Sequence, residues 1–316
     1  MQNKNIFLAG SLWLLAVSLF AQQLPLSNQY TINKFSLSPA YAGTGESFEI
    51  FGTYRNEWMN IPGAPETKTI SANGLICKKM GLGGSISRQN AGIFENLSAM
   101  ASYAYHAKFS GGHTLSFGLG LGLLESHVNI AGAAGQMNDP VAANNADVTD
   151  MVFDAGFGIL YRFKGLSAGI GAPRVLTNKI KNHEGKNVYM NNTQEVINLG
   201  YKYSFNNDWT IDPVAKIDLV KQTTFDTYYE VAVPVIYKNR IWVSPIYKKT
   251  AMAFGIGGIP YNNFIFNYSY EFSSAGGMGE SGGTHEITIG WRMSAKKKSD
   301  TPAPDSKKPY YQWLNK

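Results

Sequence analysis

The chain has 316 residues, of which 44% are hydrophobic, 13% are aromatic and only 16% are charged. Soluble domains carry about 25% charged residues, and the mean hydropathy of -0.18 indicates that apolar and polar residues are interspersed rather than gathered into long runs. The net charge of +6 does not indicate a nucleic-acid partner, because the last 23 residues hold six lysines against two aspartates and so carry most of that charge.

The first 21 residues are predicted to form a secretory signal peptide. Lys4 precedes an apolar run from Ile6 to Phe20, and Ala21 stands before two glutamines. The apolar run is shorter than the ~20 residues with which a helix crosses a membrane. We therefore expect the mature chain to begin near Gln22. Since no later segment has the length of a transmembrane helix, a membrane-spanning form of this chain must be a β-barrel.

Residues 22–45 precede the first predicted strand and show no regular alternation. Two interpretations are open for this segment, an unstructured leader or a segment that packs inside or beneath a barrel. We favour the second interpretation, because Tyr30, Phe35, Leu37 and Tyr41 would be costly to leave in water.

From residue 46 to residue 293, polar and apolar residues alternate with a period of two in stretches of about ten residues. Such stretches are typical of strands that face lipid on one side and a polar lumen on the other. We predict an all-β fold, a transmembrane antiparallel β-barrel of about 14 strands. The predicted strands are 47–56, 67–77, 80–88, 97–109, 114–125, 151–163, 166–172, 193–205, 209–220, 227–237, 240–247, 250–258, 263–272 and 284–293.

The connections between these strands differ in length on the two sides of the predicted barrel. Every second connection is a short turn, and most of these turns contain glycine or asparagine. The long connections, including 126–150 and 173–192, all fall on the other side. Because bacterial barrels have short periplasmic turns and longer extracellular loops, we expect the two long loops outside the cell and both chain ends in the periplasm.

No pattern of residues indicates catalysis, a cofactor or a metal. The glycines from Gly118 to Gly122 lack the following helix of a phosphate-binding loop. On alternate strand positions they leave one face bare, which permits either strong curvature or the close approach of an internal plug. The five histidines lack the spacing of metal ligands, and Cys77 is the single cysteine. Ser281, His285 and Glu286 lie close in sequence, but neither an orienting group nor an oxyanion site can be assigned to them. We expect no enzyme activity and no cofactor.

Residues 294–316 differ in composition from the barrel region, being rich in lysine, proline, serine and aspartate. Two interpretations are weighed equally, a disordered periplasmic stub or a docking motif with basic residues for reach and aromatic residues as anchors. The docking hypothesis rests on Lys296, Lys297, Lys298, Tyr310, Tyr311 and Trp313.

Three short motifs near the start of the mature chain are distinctive: Ser38-Pro39-Ala40-Tyr41-Ala42-Gly43, Tyr54-Arg55-Asn56-Glu57-Trp58 and Gly63-Ala64-Pro65-Glu66-Thr67. They resemble the Asn-Pro-Ala-Tyr-Ala-Gly, Tyr-Arg-x-x-Trp and Gly-Ala-Pro-x-Thr elements of the PorP/SprF family of Bacteroidetes. The resemblance extends from about Gln29 to Met293, with Ser38 and Glu57 as departures where the family usually has asparagine and often glutamine. The matching motif residues are Pro39, Ala40, Tyr41, Ala42, Gly43, Tyr54, Arg55, Trp58, Gly63, Ala64, Pro65 and Thr67.

This resemblance implies a non-enzymatic outer-membrane component of the type IX secretion system. It also implies partners: cargo proteins with C-terminal sorting domains, which are secreted or retained at the cell surface, and periplasmic proteins linked to the secretion machinery and to peptidoglycan. Some family members support gliding motility. Two other functions stay open from the residues alone, a passive porin-like channel and, with less support, an integral-membrane hydrolase.

Overall fold

The computed structural model describes residues 27–45, 47–129, 148–176, 178–181, 187–191, 193–221, 225–273 and 281–294. The predicted signal peptide and the six predicted docking residues (Lys296, Lys297, Lys298, Tyr310, Tyr311 and Trp313) lie outside these ranges. In the ranges that are described, none of the helices has the length and apolar character needed to cross a membrane.

The described residues form 19 strand segments, together with four short 3-10 turns at Gln29–Thr31, Lys34–Ser36, Pro39–Tyr41 and Ser110–Gly112. The strands are β1 (Ser47–Asn56), β2 (Glu66–Cys77), β3 (Met80–Ala91), β4 (Phe94–Lys108), β5 (His113–Val128), β6 (Val148–Phe163), β7 (Leu166–Arg174), β8 (Asn178–Lys181), β9 (Asn187–Asn191), β10 (Gln194–Tyr201), β11 (Tyr203–Ser204), β12 (Trp209–Ile211), β13 (Val214–Lys221), β14 (Phe225–Ala232), β15 (Val235–Tyr237), β16 (Ile241–Lys248), β17 (Ala251–Gly258), β18 (Phe264–Ser273) and β19 (Thr284–Ser294).

The strands form a closed antiparallel barrel. Strand β1 pairs with β2 on one side and with β19 on the other, in a register that places Phe51 opposite Gly290. Three interruptions divide long strands into the pairs β10 with β11, β12 with β13, and β14 with β15. Two of the interruptions contain a proline, Pro213 or Pro234, which cannot donate a ladder hydrogen bond. Counted with these pairs joined, the barrel has the predicted 14 strands.

The strand boundaries differ from the predicted ones mainly at one end of the barrel. Strands β3, β4 and β5 are longer than predicted, so only Gly92 and Ile93 separate β3 from β4. Gly92 has a positive φ of 59°, which the tight turn requires. The connection after β7 contains a small separate hairpin, β8 with β9, that was not predicted from the sequence. Its residues lie in the predicted loop 173–192; most of the other long loop, 126–150, is outside the described ranges.

Alternation along the strands separates an apolar outer face from a polar inner face. On β5, Leu119 and Leu121 are 64% and 73% exposed on the outside, whereas Ser116 and Gly118 face inward and are buried. Aromatic residues gather outside at the barrel end that carries the short turns, where the Trp209 ring lies 4.7 Å from that of Tyr237. An apolar band with aromatic residues at its edge is the surface that a bilayer requires.

The two ends of the barrel are named here by their connections. The short-turn rim carries the turns before β3, β5, β7, β12, β16 and β18. At this rim Lys164, Lys238 and Asn239 have positive φ values of 52°, 48° and 54°, as tight hairpin turns demand. The long-connection rim carries the other connections, among them residues 57–65 between β1 and β2.

Residues 27–45 lie inside the barrel and are called the plug. Tyr30, Leu37 and Tyr41 are at most 3% exposed, and Ala40 is fully buried. With Leu160, Val196 and Val214 of the wall they form one apolar cluster, which gives the polar lumen a hydrophobic centre. Burial of such side chains is the main favourable contribution to the plug's position.

Candidate functional site

The plug folds as three consecutive 3-10 turns stabilised by local hydrogen bonds. Before the last turn, the backbone N–H of Ala40 donates to Ser38 Oγ at 3.2 Å, and Pro39 occupies the first position of the turn. Gly43, with a φ of 68°, redirects the chain toward β1, and its N–H donates to Asn73 Oδ1 at 3.0 Å. The Pro39–Gly43 motif thus sets the path of the plug.

Glycines on the inner wall allow the plug backbone to touch the wall directly. A Cβ atom added to Gly81 would lie 2.0 Å from the carbonyl oxygen of Ala42. One added to Gly118 would lie 2.1 Å from the backbone nitrogen of Ala40. The glycine runs of β3 and β5 therefore form the seat of the plug, and of the two roles expected for these glycines the structure shows the close approach of an internal segment.

Replacing Gly118 by alanine should loosen the plug. The new Cβ would meet the backbone of Ala40, and overpacking of this kind costs about 1–3 kcal/mol, which makes exposed conformations of the plug roughly tenfold more frequent. The rate of tryptic cleavage at Lys34, measured on the purified barrel, reports that opening. Gly84→Ala is the matched control, because its Cβ would lie 3.6 Å from the nearest atom, Met100 O. Equal cleavage rates in the two variants would contradict the assignment of these glycines as the seat of the plug.

Polar contacts tie the plug to strands on every side of the barrel. The plug donates to Glu286 Oε2 through Ser27 Oγ and through the backbone N–H of Asn28, both at 3.0 Å. It also accepts, since Arg162 Nη1 donates to Thr44 O at 3.2 Å. Further contacts join Asn28 to Ser269, Asn33 to Ser71, Ala42 O to His106, Tyr41 to Asn198 and Lys34 to Asp212.

The two plug tyrosines remain protonated at neutral pH. Burial raises the pKa of Tyr41 to about 12, so its hydroxyl is neutral and accepts a hydrogen bond from Asn198 Nδ2. Burial, together with the negative charge of Glu230, also raises the pKa of Tyr30 well above its usual value. The Lys216 ammonium lies 5.0 Å from the centre of the Tyr30 ring, close enough for a cation–π interaction. Both tyrosine side chains are therefore uncharged where they contact the barrel wall.

A group of buried charges lines the lumen beside the plug, mostly toward the long-connection rim. Arg55 contacts three carboxylates, with Nε 3.1 Å from Glu57, Nη2 3.3 Å from Glu271 and Nη1 3.4 Å from Glu286. Lys248 bonds Glu271 at 2.7 Å. This luminal charge network consists of Arg55, Glu57, Lys216, Asp218, Glu230, Lys248, Glu271 and Glu286.

The matching family motifs fall into three places. Pro39 to Gly43 form the end of the plug, and Arg55 is the centre of the charge network. Residues 57–65 form a connection that Glu57 N closes by donating to Pro65 O at 2.9 Å. This connection holds Trp58, Gly63, Ala64 and Pro65, whereas Thr67 is buried in the wall and Tyr54 points outward. A functional role for these residues stays a prediction.

The Ser281, His285 and Glu286 side chains do not form a catalytic arrangement. Glu286 faces the lumen and pairs with Arg55, whereas His285 Nδ1 lies 2.8 Å from the hydroxyl of Tyr268. His285 and Glu286 are adjacent strand residues and point to opposite faces of the barrel wall. Within the described ranges, no group of three or more histidine, cysteine, aspartate or glutamate side chains could hold a metal ion.

Four residues of the luminal charge network were not predicted from the sequence: Lys216, Asp218, Glu230 and Lys248. A signal for them existed, because Lys216 and Asp218 are charged residues at alternate positions of a strand whose other face is apolar. Charges at such inward positions must find partners on neighbouring strands. Which partners they find depends on the register of the closed barrel.

A closed antiparallel barrel with an apolar outer band and a polar, plugged lumen defines an outer-membrane β-barrel protein. A family profile described as type IX secretion system membrane protein PorP/SprF matches residues 19–291, so the chain belongs to this family. The family and the barrel fold point to a membrane component without catalytic activity. No curated protein matches the chain in sequence.

Several solved structures are similar in shape at low sequence identity. The Acinetobacter baumannii outer membrane protein Omp33 has 8% identity and a TM-score of 0.46, covering 79% of this chain and 100% of its own. The toluene transporter TodX of P. putida has 10% identity and a TM-score of 0.46, and the match covers 80% of this chain and 91% of TodX. The CymD monoaromatic hydrocarbon channel has 11% identity and a TM-score of 0.48, and the match covers 87% of this chain and 95% of CymD.

Proposed function

We propose that this protein is a non-enzymatic component of the type IX secretion system that supports the secretion or surface anchoring of cargo with C-terminal sorting domains. The observation that carries the proposal is the family match over residues 19–291. The Pro39–Gly43 motif, which carries part of the family resemblance, forms the buried end of the plug. A barrel filled in this way is suited to holding other proteins at its rims.

A passive channel is the less favoured function, because the plug contacts strands all around the lumen. The contacts of Ser27, Asn28 and Asn33 reach β19, β18 and β2, and those of Tyr41 and Thr44 reach β10 and β6. Two cavities beside the plug have volumes of only about 100 and 50 Å³. Cavities of this size have room for ordered water molecules beside the plug.

We further propose that the short-turn rim faces the periplasm and the long-connection rim faces the cell exterior. Bacterial barrels have short periplasmic turns, and the described chain begins inside the barrel and ends with β19 at the short-turn rim. In this orientation cargo meets the long-connection rim, and periplasmic proteins of the machinery, including those bound to peptidoglycan, meet the short-turn rim. Residues 294–316 would extend toward the same partners, and support of gliding motility would follow in an organism that glides.

The proposal is tested by deleting the gene and comparing the proteins of the cell surface and the culture fluid. We expect proteins with C-terminal sorting domains to disappear from the cell surface, and wild-type protein supplied in trans to restore them. The amounts of unrelated outer-membrane barrels serve as the control, because they should not change. Unchanged surface and culture-fluid proteomes would contradict the proposed function.

A further inference from the structure

A cavity of about 100 Å³ opens at the short-turn rim, between the end of the plug and strands β4 to β7. Tyr41, Gly43 and Thr44 of the plug form one side of it, and Thr114 and Ser167 contribute hydroxyl groups. Among the described residues that line the cavity there is no aspartate or glutamate. Six basic residues line it: Lys34, Lys78, Lys108, Arg162, Lys164 and Lys202.

The charge of this cavity is not balanced, in contrast to the cavity on the other side of Lys34. The second cavity is lined by Glu49, Asp212 and Arg292 besides Lys34. There Arg292 pairs with Glu49, and Lys34 pairs with Asp212 at 2.9 Å. Asp212 thus compensates Lys34, whereas Lys78, Lys108 and Lys164 have no aspartate or glutamate among the described residues that line the first cavity, which leaves a positive excess within its walls.

Arg162 lines the basic cavity beside Thr44 of the plug. Its Nη1 donates to Thr44 O at 3.2 Å, while its Nε is buried and has no hydrogen-bond partner among the described residues. The positive charge of the guanidinium group favours a carboxylate or phosphate in the cavity that Arg162 lines. The low-dielectric walls around it strengthen the attraction for an anion.

The outer basic residues are spread along the mouth of the cavity. Lys78 lies in the turn after β2, Lys108 ends β4, and Lys164 lies in the turn after β6, and all three are exposed. Since neighbouring strands lie about 4.8 Å apart, Lys78 and Lys164 are separated by roughly 20 Å along the rim. A single small anion cannot reach across this distance, whereas an extended peptide of about six residues can.

We propose that this cavity and its rim bind an acidic peptide segment of a partner protein. One carboxylate of the segment enters the cavity toward Arg162, and further carboxylates lie against Lys78, Lys108 and Lys164. The chain's own last 23 residues are unsuited to the site, because they carry six lysines and two aspartates. The inference goes beyond the proposed function and does not depend on which side of the membrane the short-turn rim faces.

The proposal is tested by the binding of fluorescein-labelled hexaglutamate to the purified full-length barrel, measured by fluorescence anisotropy. Hexaglutamine and hexalysine carrying the same label are the peptide controls. We expect hexaglutamate alone to bind, and its affinity to fall as salt concentration rises. Inorganic phosphate is titrated as a competitor, and phosphate that binds as tightly as the peptide would overturn the proposal of a peptide ligand.

The test variant is Lys108→Gln with Lys164→Gln, and its control is Lys238→Gln with Arg240→Gln. The control pair lies at the same rim, is exposed and removes the same charge, but does not line the cavity. Lys164 and Lys238 are closely matched, with φ values of 52° and 48° and ammonium groups 5.1 and 5.2 Å from a neighbouring aromatic ring.

We expect the test variant to lose about fivefold in affinity for hexaglutamate, from the loss of two rim charges, and the control variant to bind as the wild type does. Equal affinities in the two variants, or the absence of hexaglutamate binding to the wild type, would overturn the proposal. Because all four substituted residues are exposed, the fold of the barrel is preserved, and its resistance to unfolding in sodium dodecyl sulfate without heating verifies this.

Discussion

Deletion of residues 27–45 should convert the barrel into an open channel with several times the conductance of the intact protein. The plug occupies the centre of the lumen, where Tyr30, Leu37 and Tyr41 are at most 3% exposed. The side chains of the wall alone fill a barrel of about eight strands, but not one of 14 strands. The measurement is single-channel conductance in planar bilayers.

The wall remaining after this deletion is polar enough to be wet. Charged groups of the luminal charge network, such as Arg55, Glu230 and Glu286, would be solvated instead of buried, which favours a stable water-filled channel. A deletion of residues 178–191, which removes the β8–β9 hairpin from a connection, is the control and should leave the conductance low. A folded barrel that lacks the plug and still conducts no ions would contradict the assignment of residues 27–45 as the closing element.

Replacing Arg55 by methionine should destabilise the barrel by about 3–5 kcal/mol in free energy of unfolding. Arg55 is 2% exposed, and its guanidinium group is shared by Glu57, Glu271 and Glu286. Removal of the cation leaves carboxylates buried without their partner, and this uncompensated charge accounts for the cost. Urea unfolding of the barrel in lipid vesicles, followed by tryptophan fluorescence, measures the change.

A second substitution separates lost pairing from lost packing at Arg55. The double variant with Glu286→Gln should regain part of the stability, because glutamine is neutral and still offers an oxygen to Ser27 and Asn28 of the plug. Lys68→Met is the control for loss of a surface cation, since Lys68 pairs with Glu66 on the exposed face of β2. If Arg55→Met were as stable as Lys68→Met, the charge network would have no structural role.

The strands could be predicted because the two surfaces of a membrane barrel demand alternation at every position. Leu119 and Leu121 face outward and Gly118 faces the plug, so the pattern on β5 follows directly from its surroundings. The β8–β9 hairpin could not be predicted in this way, because it lies in a connection outside the sheet of the barrel and is free of that requirement.

The candidate site could be predicted only in part. The aromatic residues Tyr30 and Tyr41 indicated a segment that needs burial, and the glycines of β5 indicated a bare wall. The pairing of Arg55 with Glu286 depends on the closure of β1 against β19, which brings together residues 231 positions apart in the chain. Neither alternation nor spacing in the sequence carries that information.

The contact of Glu286 with the plug links the plug to the closure of the barrel wall. Glu286 belongs to β19, the last strand of the barrel, and it accepts hydrogen bonds from Ser27 and Asn28 at the start of the plug. Strand β19 also closes the barrel by pairing with β1, which directly follows the plug. The same strand therefore fixes the start of the plug and closes the wall, so a change in the pairing of β19 with β1 would also displace the plug.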